Sequence, residues 1–223
     1  MLAIFVAAFM AAAAPSPLEM ARDKQDRAAL TELAAQAGAA AAKAPNDAEA
    51  QYRAALANCY LAEVTIELRD RKAGRQIAEQ GIRFAEKTVS LKPGNAEYYR
   101  LLATLYGQVI TDVMSGLTYG PKAKEAVNKA MEKAPKVSMM YVARGVGNYY
   151  VPAAMGGGAA VSLADFQKAI ELESSNAEAW LWLGLALRKE NRDAEARKAF
   201  TKSLELNPNR VWARQQLAKT PAK

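Results

Sequence analysis

Residues 177–208 read AEAWLWLGLALRKENRDAEARKAFTKSLELNP, and their spacing decides the fold. Counting Ala177 as position one, Trp180, Leu183, Gly184 and Leu187 stand at positions 4, 7, 8 and 11, and Ala196, Phe200, Ser203 and Pro208 at 20, 24, 27 and 32. Large residues three and four apart give each of two helices one apolar face. The small residues Gly184 and Ala196 fall where the two helices of a hairpin would cross, since a larger side chain there would force them apart. Asn191-Arg192-Asp193 supplies the turn, with Asp193 expected to cap the second helix. Pro208 cannot continue a helix and closes the unit.

Outward from this copy, the closing signal recurs. Ala-Pro-Asn at 44–46, Lys-Pro-Gly-Asn at 92–95 and Ala-Pro-Lys at 134–136 end helical runs, and Glu-Ser-Ser-Asn at 173–176 fills the same place without proline. The closers Pro45, Pro93, Pro135, Ser174 and Pro208 are separated by 48, 42, 39 and 34 residues. Against the shortest unit the excess grows toward the amino terminus. Shared equally, it adds about two turns to each helix of the first hairpin and about one turn to each helix of the second. In the third hairpin the extra residues form a longer loop around 151–158. The expected hairpins are therefore about 46–91, 95–134, 137–173 and 177–207, the first longest and the last shortest.

The eight spaced positions in 177–208 resemble the tetratricopeptide repeat, and the likeness extends in weaker form over about 45–208. The resemblance implies an all-α, right-handed superhelix of about four helical hairpins with capping helices at both ends. Residues 17–44, with Leu30 and Leu33 among many alanines, read as the amino-terminal cap, and 209–223, with Val211, Trp212 and Leu217, as the other cap and tail. The segment YYVPAAMGGGAAVSLADFQKAI at 149–170 also resembles exported bacterial repeat proteins that carry a Tyr-Tyr-x-Pro…Gly-Gly-Gly turn.

Composition removes most catalytic classes. The chain has no histidine and one cysteine, Cys59, which excludes Ser-His-Asp and Cys-His catalysis, histidine metal sites and any intrachain disulfide. The glycine run 156–158 lacks a following Lys-Ser/Thr and reads as a turn, not a phosphate loop. No catalytic set, cofactor or metal is expected. The net charge of +7 comes from basic residues interleaved with acids at helical spacing, so a solvated helix face is expected and nucleic acid is not. Residues 2–13, LAIFVAAFMAAA, form an uncharged apolar run ending in Ala-x-Ala. At that length it is too short to cross a bilayer, which takes about 20 residues, and it reads as a signal peptide over 1–13. The protein is then expected to be exported, periplasmic or secreted, and trimmed near Ala13–Ala14. The alternative is an apolar helix packed on the domain. Intact-mass analysis of the native protein tests this: a chain beginning near Ala14 is expected, and one retaining Met1 overturns it.

In the family that 177–208 resembles, positions 2, 5, 9 and 12 of each first helix face a concave groove. Carried onto this chain, the candidate groove takes Tyr52 and Leu56 from the first hairpin, Arg100 and Thr104 from the second, and Leu181, Leu185 and Arg188 from the fourth. The third hairpin has two registers. If Gly145 is the crossing glycine, Met139, Val142, Val146 and Tyr149 face the groove, as repeat spacing favours. If Gly147 crosses, the groove gains Tyr141, Arg144, Asn148 and Val151. Burying an unpaired arginine in a hairpin costs several kcal/mol, and this favours the second register. The expected function is a non-catalytic scaffold holding a protein or peptide segment, with Arg100 and Arg144 as a basic middle able to hold a carboxylate. The alternative is an exported transport-accessory protein that binds a small ligand, as the repeat component of tripartite solute transporters does.

Overall fold

The computed structural model describes residues 14–222. The apolar run at 1–13 lies outside the described residues. Within them the chain forms α1 (Pro17–Asp23), α2 (Arg27–Lys43), α3 (Ala48–Glu67), α4 (Arg71–Leu91), α5 (Ala96–Gln108), α6 (Val113–Lys133), α7 (Ser138–Tyr150), α8 (Ala159–Leu172), α9 (Ala177–Lys189), α10 (Asp193–Leu206) and α11 (Val211–Ala218). A single 3-10 turn, Ala153–Met155, stands in the loop before α8. The described residues contain no strand, as the sequence predicts.

Local chemistry starts most of these helices. Asp47, Asp70, Asn95, Asp112 and Asn176 each stand just ahead of a helix and accept hydrogen bonds from its first backbone amides. Asp193 does not act in this way. It is the first residue of α10, the residue before it is Arg192, and no side chain caps the helix. Its carboxylate still favours the positive end of the helix dipole. The expected single cap at 17–44 is two helices. Gln25 takes φ 54 between them, and Asp26 restarts the chain by capping α2.

Four hairpins, α3–α4, α5–α6, α7–α8 and α9–α10, stack in sequence, with α2 packed on α3 and α11 on α10. The first helix of each hairpin lies in the inner layer. One apolar cluster joins α3, α4 and α5 around Ala55, Leu101 and Leu105. A second joins the last helices around Phe166, Leu181 and Phe200. Tyr99, Ala130 and Met140 link the middle of the stack.

Helix lengths follow the repeat spacing with one departure. In the first hairpin α3 has 20 residues and α4 has 21, so the excess is shared, as expected. In the second, α5 has 13 and α6 has 21, so the whole excess lies in the second helix. The reason is local. Val109 is fully buried and anchors the chain directly after α5, while Asp112 and Ser115 form a reciprocal capping box that starts α6 within four residues. The first turns of α6 therefore overshoot α5 by about 12 Å.

Candidate functional site: the concave face and its seal

The inner helices bring several of the expected groove residues together. On α3 and α5 the Tyr52 hydroxyl donates to Glu97 at 3.2 Å, and its ring lies 5.0 Å from that of Tyr98. Arg100 holds the Glu97 carboxylate in two hydrogen bonds of 2.6 Å, from Nε and from Nη2. Arg100 is therefore neutralised within its own helix. Thr104 donates to the Arg100 carbonyl at 3.1 Å. Tyr52, Leu56, Arg100 and Thr104 are all half-buried. Cys59 is buried below them, and burial pushes its thiol up to about 12, so it carries no thiolate near neutral pH.

The far part of this face is closed by the chain itself. Arg210, just before α11, has a side chain only 1% exposed. It donates to Glu67 at 2.5 and 3.2 Å, to Glu63 at 2.6 Å and to Glu178 at 3.2 Å. Arg22 of α1 pairs with Glu178 at 3.3 Å and with Asp23 at 2.7 Å, and its guanidinium lies 4.9 Å from the centre of the Tyr60 ring. Asn207 donates to Asp23 at 2.7 Å, and Gln25 exchanges hydrogen bonds with Gln215. The first and last helices of the solenoid thus meet over α3 and α9.

This seal holds four carboxylates, Asp23, Glu63, Glu67 and Glu178, against two guanidinium groups. Burial pushes Glu63 up to about 7, with Glu67 and Glu178 adding repulsion and Arg210 and Arg22 opposing the shift. Glu67 is raised in the same way. Burial also works against ionisation of Glu178, yet Arg22 and Arg210 hold it below the usual value.

The third hairpin takes the Gly145 register, which corrects the sequence expectation. A Cβ on Gly145 would lie 2.5 Å from Phe166 Cε1, as one on Gly184 would lie 2.6 Å from Phe200 Cε1, while one on Gly147 would meet nothing within 4 Å. The penalty argued for burying Arg144 does not apply, because the arginine is paired. Asp165 on α8 accepts from Arg144 Nε at 2.9 Å and Nη2 at 2.5 Å, and its other oxygen accepts from Asn148 at 2.9 Å. Arg144 and Asn148 therefore belong to the hairpin interface and form no basic middle with Arg100. Tyr141 packs beside them, its ring 5.1 Å from the Arg144 guanidinium and its hydroxyl bonded to the Pro135 carbonyl.

The fourth hairpin offers no open floor. Leu181 and Leu185 are buried in the same apolar cluster as Ala213 of α11. Arg188 donates to the Gln216 carbonyl at 3.2 Å and to the Gln216 side chain at 2.7 Å, so it anchors α11. Sequence reasoning missed Glu63, Glu67 and Arg210. The first two were within reach: the concave stripe of α3 continues from Tyr52 and Leu56 through Tyr60 to Glu63 and Glu67 at the same spacing. Arg210 carried no such signal.

The tetratricopeptide-repeat family model matches residues 177–210. No curated protein matches the sequence. The structure is similar to TTC0263, a thermophilic tetratricopeptide-repeat protein of Thermus thermophilus, at TM-score 0.63 and 23% identity, over 87% of this chain and 89% of that one. It is also similar to the HusA haemophore of Porphyromonas gingivalis, at TM-score 0.59 and 18% identity, over 80% of this chain and 96% of that one. The fold is that of the tetratricopeptide-repeat solenoids, with one repeat matched at 177–210, and in this chain its first and last described helices are joined by buried charge.

Proposed function

We propose that the protein is a non-catalytic scaffold that binds a segment of another protein on the α3–α5 half of its concave face. Tetratricopeptide-repeat proteins generally bind protein or peptide partners. The observation that carries the reading is an asymmetry. Tyr52, Leu56, Arg100 and Thr104 stay half-open, while Leu181 and Leu185, at the equivalent places of the last hairpin, are buried, and Arg188 one turn on is bound to Gln216 of α11. A bound segment would meet Leu56 and the Tyr52 ring as an apolar floor, beside the internally paired Glu97 and Arg100. A neutral or mixed-charge segment suits this surface better than an acidic tail.

The test is site-specific photo-crosslinking in the native host from Leu56 and Thr104, with exposed Lys87 on the outer helix α4 as control. Crosslinks to one partner segment from the two concave sites and not from Lys87 are expected. Leu56→Ala should then weaken binding of that isolated segment by about tenfold, the equivalent of about 1.4 kcal/mol. Capture that is equal from Lys87, or unchanged binding in Leu56→Ala, overturns the placement.

A further inference from the structure

In a chain that is 24% charged, residues 113–121 and 145–164 contain no Asp, Glu, Lys or Arg. Both stretches fall where neighbouring hairpins turn over. The first opens α6, in the two turns that overshoot α5. The second spans the end of α7, the Ala153–Met155 turn and the start of α8. They expose an unusual set of large apolar side chains: Val113 at 78%, Met114 at 72%, Leu117 at 62% and Met155 at 70%, with Tyr150, Val151 and Val161 beside them. The α6 turns also contain Gly116, Gly120 and an internal Pro121, residues that weaken a helix. Neither packing nor helix propensity accounts for apolar residues at these places.

The flanks are basic. Arg69, Arg71 and Lys72 stand exposed at the neighbouring α3–α4 tip, and Lys122 and Lys124 follow on α6. Lys189, at the next tip, lies with its ammonium 4.4 Å from the Tyr149 ring centre. Among the described residues none of these six cations pairs with a carboxylate within 4.0 Å. The acids at the α3–α4 and α5–α6 tips are engaged. Asp70 caps α4 and pairs with Arg27, and Asp112 caps α6 and pairs with Arg75 at 3.2 Å. At the α9–α10 tip Glu195 pairs with Arg192, whereas Glu190 and Asp193 form no ion pair among the described residues.

We propose that this rim, formed by the turn ends of the second and third hairpins, is a peripheral binding surface for an anionic lipid bilayer. Protruding apolar tips suit a deformable medium that closes around them, as an interfacial segment enters the headgroup boundary. The unpaired cations are placed to meet acidic headgroups as the tips enter. No described helix is long and apolar enough to cross a membrane, so the contact is interfacial. The rim uses none of Tyr52, Leu56, Arg100 or Thr104, and the proposal stands independently of the scaffold reading.

The test uses the chain beginning at Ala14, which retains every described contact, so that residues 1–13 cannot contribute. Cosedimentation is measured with vesicles of phosphatidylcholine alone and with equal parts of phosphatidylglycerol. Binding to the anionic vesicles that weakens with salt is expected. The triple variant Met114→Glu, Leu117→Glu, Met155→Glu should lose affinity about tenfold or more. Its thermal transition should stay put, because the replaced side chains are exposed. Arg71→Ala with Lys72→Ala and Lys122→Ala should lose the anionic preference. No binding by the parent chain overturns the proposal, as does equal binding by the triple variant. A dimer seen by light scattering that the same substitutions dissolve also overturns it, and assigns the rim to a second copy.

Discussion

Arg210→Met lowers the unfolding free energy by about 3–5 kcal/mol, the typical cost of removing one partner from a buried charge cluster. Methionine fills much of the same volume, so the loss is electrostatic. Glu63, Glu67 and Glu178 would remain facing one another with Arg22 as the remaining guanidinium. Urea denaturation at neutral pH measures the effect, and a loss below about 1 kcal/mol, the scale of an exposed pair, would mean that the cluster is well solvated. Glu63→Gln is the informative contrast. It removes charge from a cluster already rich in carboxylates, so little loss or a gain is expected at neutral pH. The pH dependence follows with a definite sign. The folded chain holds the Glu63 proton up to about pH 7, whereas an unfolded glutamate releases it near ~4.3. The folded state therefore binds more protons across that window. This group's contribution is fully present below the unfolded value and is lost as pH rises to about 7. Glu63→Gln should flatten that part of the stability profile. An unchanged slope in the variant would locate the titration elsewhere.

Gly184→Leu is the second large expected loss. A Cβ at this position would lie 2.6, 2.7 and 2.9 Å from three ring atoms of Phe200. Phe200 is fully buried and cannot swing away, so the α9–α10 hairpin must open. Overpacking of this kind costs about 1–3 kcal/mol, and the backbone separation it demands puts leucine at or above the top of that range. Repeats couple mainly to their neighbours, so hydrogen exchange should rise first within 160–219. An unshifted thermal midpoint would mean that the helices do not cross at Gly184. The same logic separates the two glycines of the third hairpin. Gly145→Ala should destabilise, because its Cβ would approach Phe166 to 2.5 Å. Gly147→Ala, whose Cβ meets nothing within 4 Å, should stabilise α7 by up to ~1 kcal/mol through helix propensity.

The hairpins were legible because their signals are local. Positions 177–208 carry a small residue at each close crossing and large residues around it, and the closing prolines recur at measurable intervals. Interval arithmetic gave the length order of the hairpins. It could not divide the excess of the second one, because that depends on where Val109 is buried and where Asp112 restarts the helix. The register of the third hairpin went astray for a related reason. Its arginine was judged without its partner, and Asp165 lies 21 residues away on the facing helix. The intervals between closers, a purely geometric quantity, pointed to Gly145 and were the better guide. The seal was the least legible feature. Arg210 meets Glu63 and Glu67 only because the stack curves until its end reaches its beginning, and no periodicity encodes that curvature.

That meeting changes how the molecule can come apart. A linear array of repeats can fray from either end, since each unit leans only on the next and the outermost has least to lose. Here the contacts from Asp23 to Asn207, from Gln25 to Gln215 and from Glu63 to Arg210 tie the two ends to each other. Peeling away α11 exposes the charges beneath α1, and peeling away α1 removes partners of α11. Among the described residues neither end of the stack hangs free, and a more nearly all-or-none transition is expected in place of gradual melting. The same ties must form late in folding, after the chain between them has curved into place, because closing so long a loop is rewarded only when both sides are ready. The turn at Asn207–Arg210 thus serves as a clasp between the two ends of the stack.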